Sequence, residues 1–209
     1  MENTFALEIM ERLTSLFPNV SSELNSINNY TFLIAVLLSA QTKDQSVNAI
    51  TEKLFKIAST PEQMLELGLD NLKSYIKTIG LYNNKAKNII ALSRLLVEQY
   101  NSEVPLDRKV LESLPGIGRK SANVVLNNIC NAPYIAVDTH VARVSKRLGL
   151  TNNTNVIKIE QDLYKVIPSK YHNTASDLLV MHGRYTCAAR KPNCGKCILN
   201  DICNFKSNL

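Results

Sequence analysis

The sequence lacks the features that mark several protein classes. It has no low-complexity stretch, no Pro/Gly/Ser-rich linker and no block of like charge, so neither a disordered tail nor a domain boundary visible in composition is expected. Its longest apolar run, residues 32–38, falls far short of the ~20 residues that span a bilayer. Met1-Glu2-Asn3 does not open a signal peptide. A soluble, cytoplasmic and nucleoid-associated monomer with no membrane partner is the expectation. No segment alternates apolar and polar residues between hairpin turns, so the fold class is read as all-α. Five cysteines, an odd number without an export signal, argue against a disulfide framework.

What is present is a globular composition with helical spacing. The 209 residues are 45% hydrophobic, enough for one large domain or two small lobes. Lys and Arg total 24 against 18 Asp and Glu, and the formal charge of +6 favours a polyanionic partner. Amphipathic or apolar helices are expected over residues 6–17, 31–40, 44–57, 61–67, 70–79, 84–100, 138–148, 155–167 and 173–182. Their signals are local ones: Thr60-Pro61 as cap and first residue, Asp44 as a cap, and Gly68, Gly80 and Gly149 as stops. Apolar residues expected inward include Val47, Ile50, Leu54 and Ile57, then Ala86, Ile89, Ile90 and Val97.

The most informative stretch is residues 114–138. Asp107 is a candidate N-cap, Val110, Leu111 and Leu114 form an apolar face, and Pro115 stops that helix. Gly116 and Gly118 follow, expected to take positive φ and a close approach, and a second helix opens near Arg119. A helix start without side chains in front of it is an anion site, and a nucleic-acid phosphate is the anion this charge balance suggests. Lys120 sits in the first turn, where the helix dipole and Arg119 disfavour an ammonium, so it is a candidate amine nucleophile. The plainer alternative is a solvated lysine touching phosphate as a point charge. Asp138 precedes Thr-His-Val-Ala-Arg-Val and reads first as an N-cap.

Near the end, Cys187, Cys194, Cys197 and Cys203 are spaced C-x6-C-x2-C-x5-C, a set able to hold zinc or a [4Fe–4S] cluster. Arg184, Arg190, Lys191, Lys196 and Lys206 surround them against one acid, Asp201. Cys130 lies apart and is read as a buried core thiol.

Leu-Pro-Gly-Ile-Gly-Arg-Lys-Ser-Ala-Asn-Val-Val-Leu-Asn followed by Ile-Ala-Val-Asp-Thr-His-Val-Ala-Arg-Val resembles the endonuclease III family of helix-hairpin-helix DNA glycosylases and abasic-site lyases. Leu-Leu-Ser-Ala-Gln ending at Gln41, Ile-Lys-Thr-Ile-Gly-Leu-Tyr around Gly80, and His-Gly-Arg-Tyr-Thr-Cys leading into the cysteines extend the likeness over nearly the whole chain. The resemblance implies two helical lobes with a DNA cleft between them, one of residues 22–132 carrying the hairpin and one of residues 1–21 plus 133–209 carrying an iron–sulfur loop. It implies removal of oxidised pyrimidines from duplex DNA in base excision repair, with Lys120 as Schiff-base nucleophile and Asp138 as its electrostatic and proton-transfer partner. It further implies one [4Fe–4S] cluster on the four cysteines, Gln41 filling the gap left by a flipped base, and Leu81 as a wedge against the opposite strand. Gly116, Gly118 and Arg119, with Arg184, Arg190 and Lys191, would meet the DNA backbone. His140 would line the pocket or simply pack. An adenine-mismatch glycosylase of the same fold, a non-catalytic DNA-binding module and a zinc-stabilised regulator are the alternatives; the first lacks a nucleophilic lysine and carries a further C-terminal domain.

Overall fold

A computed structural model describes residues 4–205. Its helices are α1 (Thr4–Leu16), α2 (Asn29–Ser39), α3 (Asp44–Leu54), α4 (Pro61–Leu67), α5 (Leu69–Ile76), α6 (Tyr82–Gln99), α7 (Arg108–Ser113), α8 (Arg119–Cys130), α9 (Thr139–Leu148), α10 (Val156–Val166) and α11 (Ala175–Tyr185). Short 3-10 turns occur at Ser169–Tyr171 and Cys194–Lys196. No strand occurs among the described residues, so the fold is all-α. No helix among them is long and apolar enough to cross a membrane. The chain divides into two units, residues 23–130 and a second made of residues 4–22 with 131–205.

The first unit is built on α2. Residues Tyr30 to Leu38 of this helix are all buried, so it must be surrounded, and α3, α6 and α8 pack on it. Its N-terminus is closed by a capping box in which Asn28 Oδ1 accepts from Thr31 N at 2.8 Å and Thr31 Oγ1 accepts from Asn28 N at 2.9 Å. Tyr30 donates to or accepts from Ser93 on α6 at 2.6 Å, and burial raises the phenol's pKa above its ordinary value.

Several expected boundaries move. Asp44 does not cap α3; Lys43 is the N-cap, with no side-chain bond, and Asp44 lies in the first turn, where its charge meets the helix dipole. The helix ends at Leu54, leaving Ile57 half exposed in the following turn, while Thr51 is the third buried position. Helix α5 ends at Ile76, before Gly80, through the turn bond Ile79 N to Ile76 O. The inward face of α6 is Lys85, Ala86, Ile89, Leu92, Ser93 and Leu96; Ile90 and Val97 sit at its edge. Cys130 is exposed at the last residue of α8, one turn past Leu126, and is not the buried core thiol expected.

The second unit buries one face each of α1, α9, α10 and α11 in a single core that includes Ile9, Leu13, Val141, Val144, Leu163, Leu178 and Leu179. Cys187, Cys197 and Cys203 pack at its margin.

Leu33 is fully buried at the centre of α2. Leu33→Ala is expected to lower unfolding stability by roughly 2–5 kcal/mol, read as a fall in the midpoint of denaturant unfolding at unchanged slope.

Candidate functional site

In the first unit, α7 and α8 form a hairpin. Asp107 caps α7 by accepting from Val110 N at 2.9 Å, and Leu111 and Leu114 are buried beneath it. The turn closes with Ile117 N donating to Leu114 O at 3.1 Å, and Ile117 itself is buried. Gly116 has φ +81°, and a Cβ there would stand 2.8 Å from Asn88 Nδ2 and 3.1 Å from Leu37 Cδ1. The glycine is therefore required twice, by backbone conformation and by close approach to α6 and α2. Gly118 differs from expectation: its φ is not positive and a Cβ would meet nothing within 4 Å. Its carbonyl accepts from Ala122 N at 2.9 Å, so it serves as the cap from which α8 starts. Lys120 is exposed in the first turn of α8, and Arg119 lies 3.9 Å from Glu112 across the hairpin.

Two further expected positions lie in the same unit, and both adopt left-handed backbone without being glycine. Gln41 has φ 56° and is exposed just past the end of α2. Leu81 has φ 60°, is 62% exposed and is the N-cap of α6. Each such residue costs about 1–3 kcal/mol and persists only where its surroundings over-determine it.

The second unit holds Asp138. It caps α9 through Oδ1 alone, which accepts from His140 N and Val141 N, both at 2.8 Å. Its Oδ2 lies 3.7 Å from His140 Nδ1. One carboxylate oxygen thus maintains the helix start while the other takes no part in the cap.

The same unit gathers the four cysteines. Cys187, Cys194, Cys197 and Cys203 line one small pocket with Leu148, His182 and Phe205, and none forms a disulfide. Among the described residues, no three His, Cys, Asp or Glu side chains converge closely enough to hold a single metal ion. Burial is the main cause pushing the Cys197 and Cys203 thiols above their ordinary pKa, and the other cysteines add to it. Arginines hold the loop. Arg143 Nη2 donates to Gly183 O at 3.0 Å, and Arg147 donates to Ala188 O and Ala189 O at 2.8 and 2.9 Å while lying 3.3 Å from Cys187 Sγ. The Arg147 guanidinium also stacks on Phe205 at 4.4 Å. Asp201 is paired with Arg12 of α1 at 2.6 and 2.9 Å, so it does not offset the surrounding basic residues. Arg184, Arg190, Lys191 and Lys196 are exposed; Lys206 lies outside the described residues.

Sequence reasoning missed Lys85, Asn88, Arg143, Arg147 and His182. Lys85 carried a signal, since it falls on the stripe 85, 89, 92, 96 of an otherwise apolar helix face. Arg143 and Arg147 are one helical turn apart, which aims both at the same loop. His182 is buried, with Nε2 3.7 Å from Cys197 Sγ, and desolvation lowers its pKa to about 4.

A family model described as HhH-GPD superfamily base excision DNA repair protein matches residues 34–169, well over half of the chain, and this sets the class of the protein. The chain is 52% identical to Endonuclease III of Escherichia coli (strain K12) and 50% identical to that of Haemophilus influenzae, over 100% of this chain and 99% of each relative. A solved trapped endonuclease III–DNA covalent intermediate, in an estranged-adenine complex, superposes with a TM-score of 0.91 at 41% identity, covering 97% of this chain and 96% of that one. The chain belongs to the endonuclease III family within the HhH-GPD superfamily.

Gly116→Ala is expected to lower the unfolding midpoint by an amount equivalent to about 1–3 kcal/mol. Gly118→Ala should change it by less than about 0.5 kcal/mol. Paired thermal melts of the two variants measure the difference; equal losses would contradict the conformational distinction.

Proposed function

We propose that this base excision DNA repair enzyme, a DNA glycosylase and abasic-site lyase by its family, acts on oxidised pyrimidines in duplex DNA with Lys120 as nucleophile and Asp138 as its partner. The observation that carries the reading is the hairpin, whose Gly116 turn starts α8 so that Lys120 is exposed in the first turn of a helix. A relative of this sequence has been trapped covalently on DNA, as a lysine nucleophile requires.

The chemistry follows from an amine. The Lys120 nitrogen attacks C1′ as the glycosidic bond breaks and the base leaves with the bonding pair. Ring opening gives an imine between Lys120 and the sugar, which acidifies the C2′ proton. Its removal expels the 3′ phosphate by β-elimination, so one lysine accounts for base release and strand cleavage. Asp138, with Oδ2 outside the cap, stabilises positive charge developing at C1′ and assists proton transfer. A base inside a duplex is out of reach, so the target must be flipped. Gln41 and Leu81, exposed on left-handed turns, are read as the residues that fill the gap and wedge the opposite strand.

The four cysteines are read as the ligands of one [4Fe–4S] cluster, the group that the family resemblance implies. Here all four cysteines line one pocket, the donor set such a cluster takes. When bound, the cluster supplies a scaffold rather than bond cleavage, tying residues 187–203 into a loop that presents Arg190 and Lys191, with Arg184 just before it, to DNA phosphates. Four thiolates on a 2+ core add −2, so the formal +6 becomes about +4.

Two experiments test this reading. Borohydride is expected to capture the protein on abasic-site DNA, with the sugar remnant on Lys120 by mass spectrometry. Lys120→Ala should abolish capture and base release, whereas Asp138→Asn should retain DNA binding and slow base release by about 10²-fold or more. A remnant on another side chain would overturn the assignment. The purified protein should also show the broad visible absorbance of iron–sulfur, and removing iron should make residues 187–203 sensitive to protease; a colourless protein with stoichiometric zinc would contradict the cluster.

A further inference from the structure

A buried charge that the mechanism does not use lies in the first unit. Lys85 is 6% exposed on the inward face of α6 beside Ala86 and Ile89, where an aliphatic side chain would contribute packing and carry no desolvation cost. Its ammonium is fully occupied: it donates to Leu38 O at 2.8 Å, to Ala40 O at 2.6 Å and to Thr42 Oγ1 at 3.2 Å. All three acceptors lie in the last turn of α2 and the residues just past it, on either side of Gln41.

That segment is a type II turn. Thr42 N donates to Ser39 O at 3.0 Å, Ala40 has φ −56° and ψ 116°, and Gln41 follows at φ 56°. Type II turns favour glycine or asparagine at the position Gln41 occupies. Rotating the peptide between residues 40 and 41 would give a type I turn, relieve Gln41 to negative φ and swing the Ala40 carbonyl away from Lys85. The bond to Ala40 O therefore selects the turn in which Gln41 is held left-handed. The same residue also holds the other loop, since Lys85 N donates to Leu81 O at 3.0 Å. Leu81 and Lys85 are one turn apart on α6, and Asn88, against which Gly116 packs, comes nearly one turn later.

We propose that Lys85 is a positioning residue for DNA interrogation: its ammonium presets the turn that presents Gln41, and its backbone secures Leu81, before DNA arrives. This rests on the reading of Gln41 and Leu81 as the residues that enter the DNA stack. Presetting both loops removes an ordering cost from insertion, so the step affected is base extrusion and gap filling.

The test is a double-mutant cycle on the full-length, cluster-loaded protein, using duplex DNA with a single oxidised pyrimidine and 2-aminopurine in the opposite strand. Lys85→Met keeps the aliphatic stem and removes the charge. It is expected to slow single-turnover base release at least tenfold and to reduce the 2-aminopurine fluorescence rise that reports insertion. Gln41→Ala should do the same, and the double variant should be scarcely slower than Gln41→Ala, because Lys85 acts through Gln41. Multiplying effects, as a merely structural lysine would give, overturn the proposal, as does a Lys85→Met variant with unaltered base release. If Gln41→Ala and Leu81→Ala are both without effect, the reading of those two residues fails instead. Hydrogen exchange on the unsubstituted protein covers the case in which Lys85→Met does not fold. A preset turn requires the Thr42 amide to be as protected without DNA as with it, and protection that appears only on DNA overturns the proposal.

Discussion

A helix that is apolar on every side cannot leave its ends to water. In α2, residues 30–38 are buried, so the polar groups of its first and last turns must find partners within the protein. Asn28 and Thr31 meet that demand at the start with reciprocal bonds. At the end it is met by an ammonium group from another helix, Lys85 of α6. The solution also fixes the exit path of the chain, because a lysine bound to the carbonyl of residue 40 dictates how the next peptide is oriented. A left-handed Gln41 on the surface is thus the far end of a requirement set in the core.

Helix α6 applies the same logic along its length. Leu81 at its cap, Lys85 one turn in and Asn88 on the next turn place an exposed leucine, the support of the Gln41 turn and the packing partner of Gly116 on one helix. The site features of this unit therefore depend on one rigid element, and a shift of α6 along its axis would disturb all three. Rigid support of this kind keeps strained, exposed residues in place.

In the other unit the problem is a loop with little regular structure. Residues 187–203 contribute few intrahelical bonds of their own and are held by three arginines from two helices: Arg143 and Arg147 from α9 on backbone carbonyls, and Arg12 from α1 on Asp201 and Ile198 O. Guanidinium groups suit this task because several donors in a fixed plane bridge separate carbonyls at once. They also place positive charge beside sulfur, with Arg147 Nη1 3.3 Å from Cys187 Sγ.

Much of the helical layout was legible because its signals are local. Thr60-Pro61, Asp107, Asn155 and Asp138 each cap the helix that follows them, and Gly149 ends α9 in the left-handed conformation. These depend on a few neighbouring residues, so one sequence suffices. Where burial decides, local pattern misled: Ile57 is exposed because α3 stops early, and Cys130 is exposed at the end of α8. Gly118 lost its expected strain because the turn needed only one positive φ.

The residue types and spacings, a Gly-rich turn before Lys120, an aspartate at a helix start and four cysteines in seventeen residues, are properties of the chain alone, since covalent order sets them before any folding. Which oxygen of Asp138 remains outside the cap, which carbonyls Lys85 occupies, and that four thiols share one pocket are decided by packing. Those facts join residues dozens of positions apart, and only the three-dimensional competition for buried hydrogen bonds and space can choose among the pairings the sequence allows.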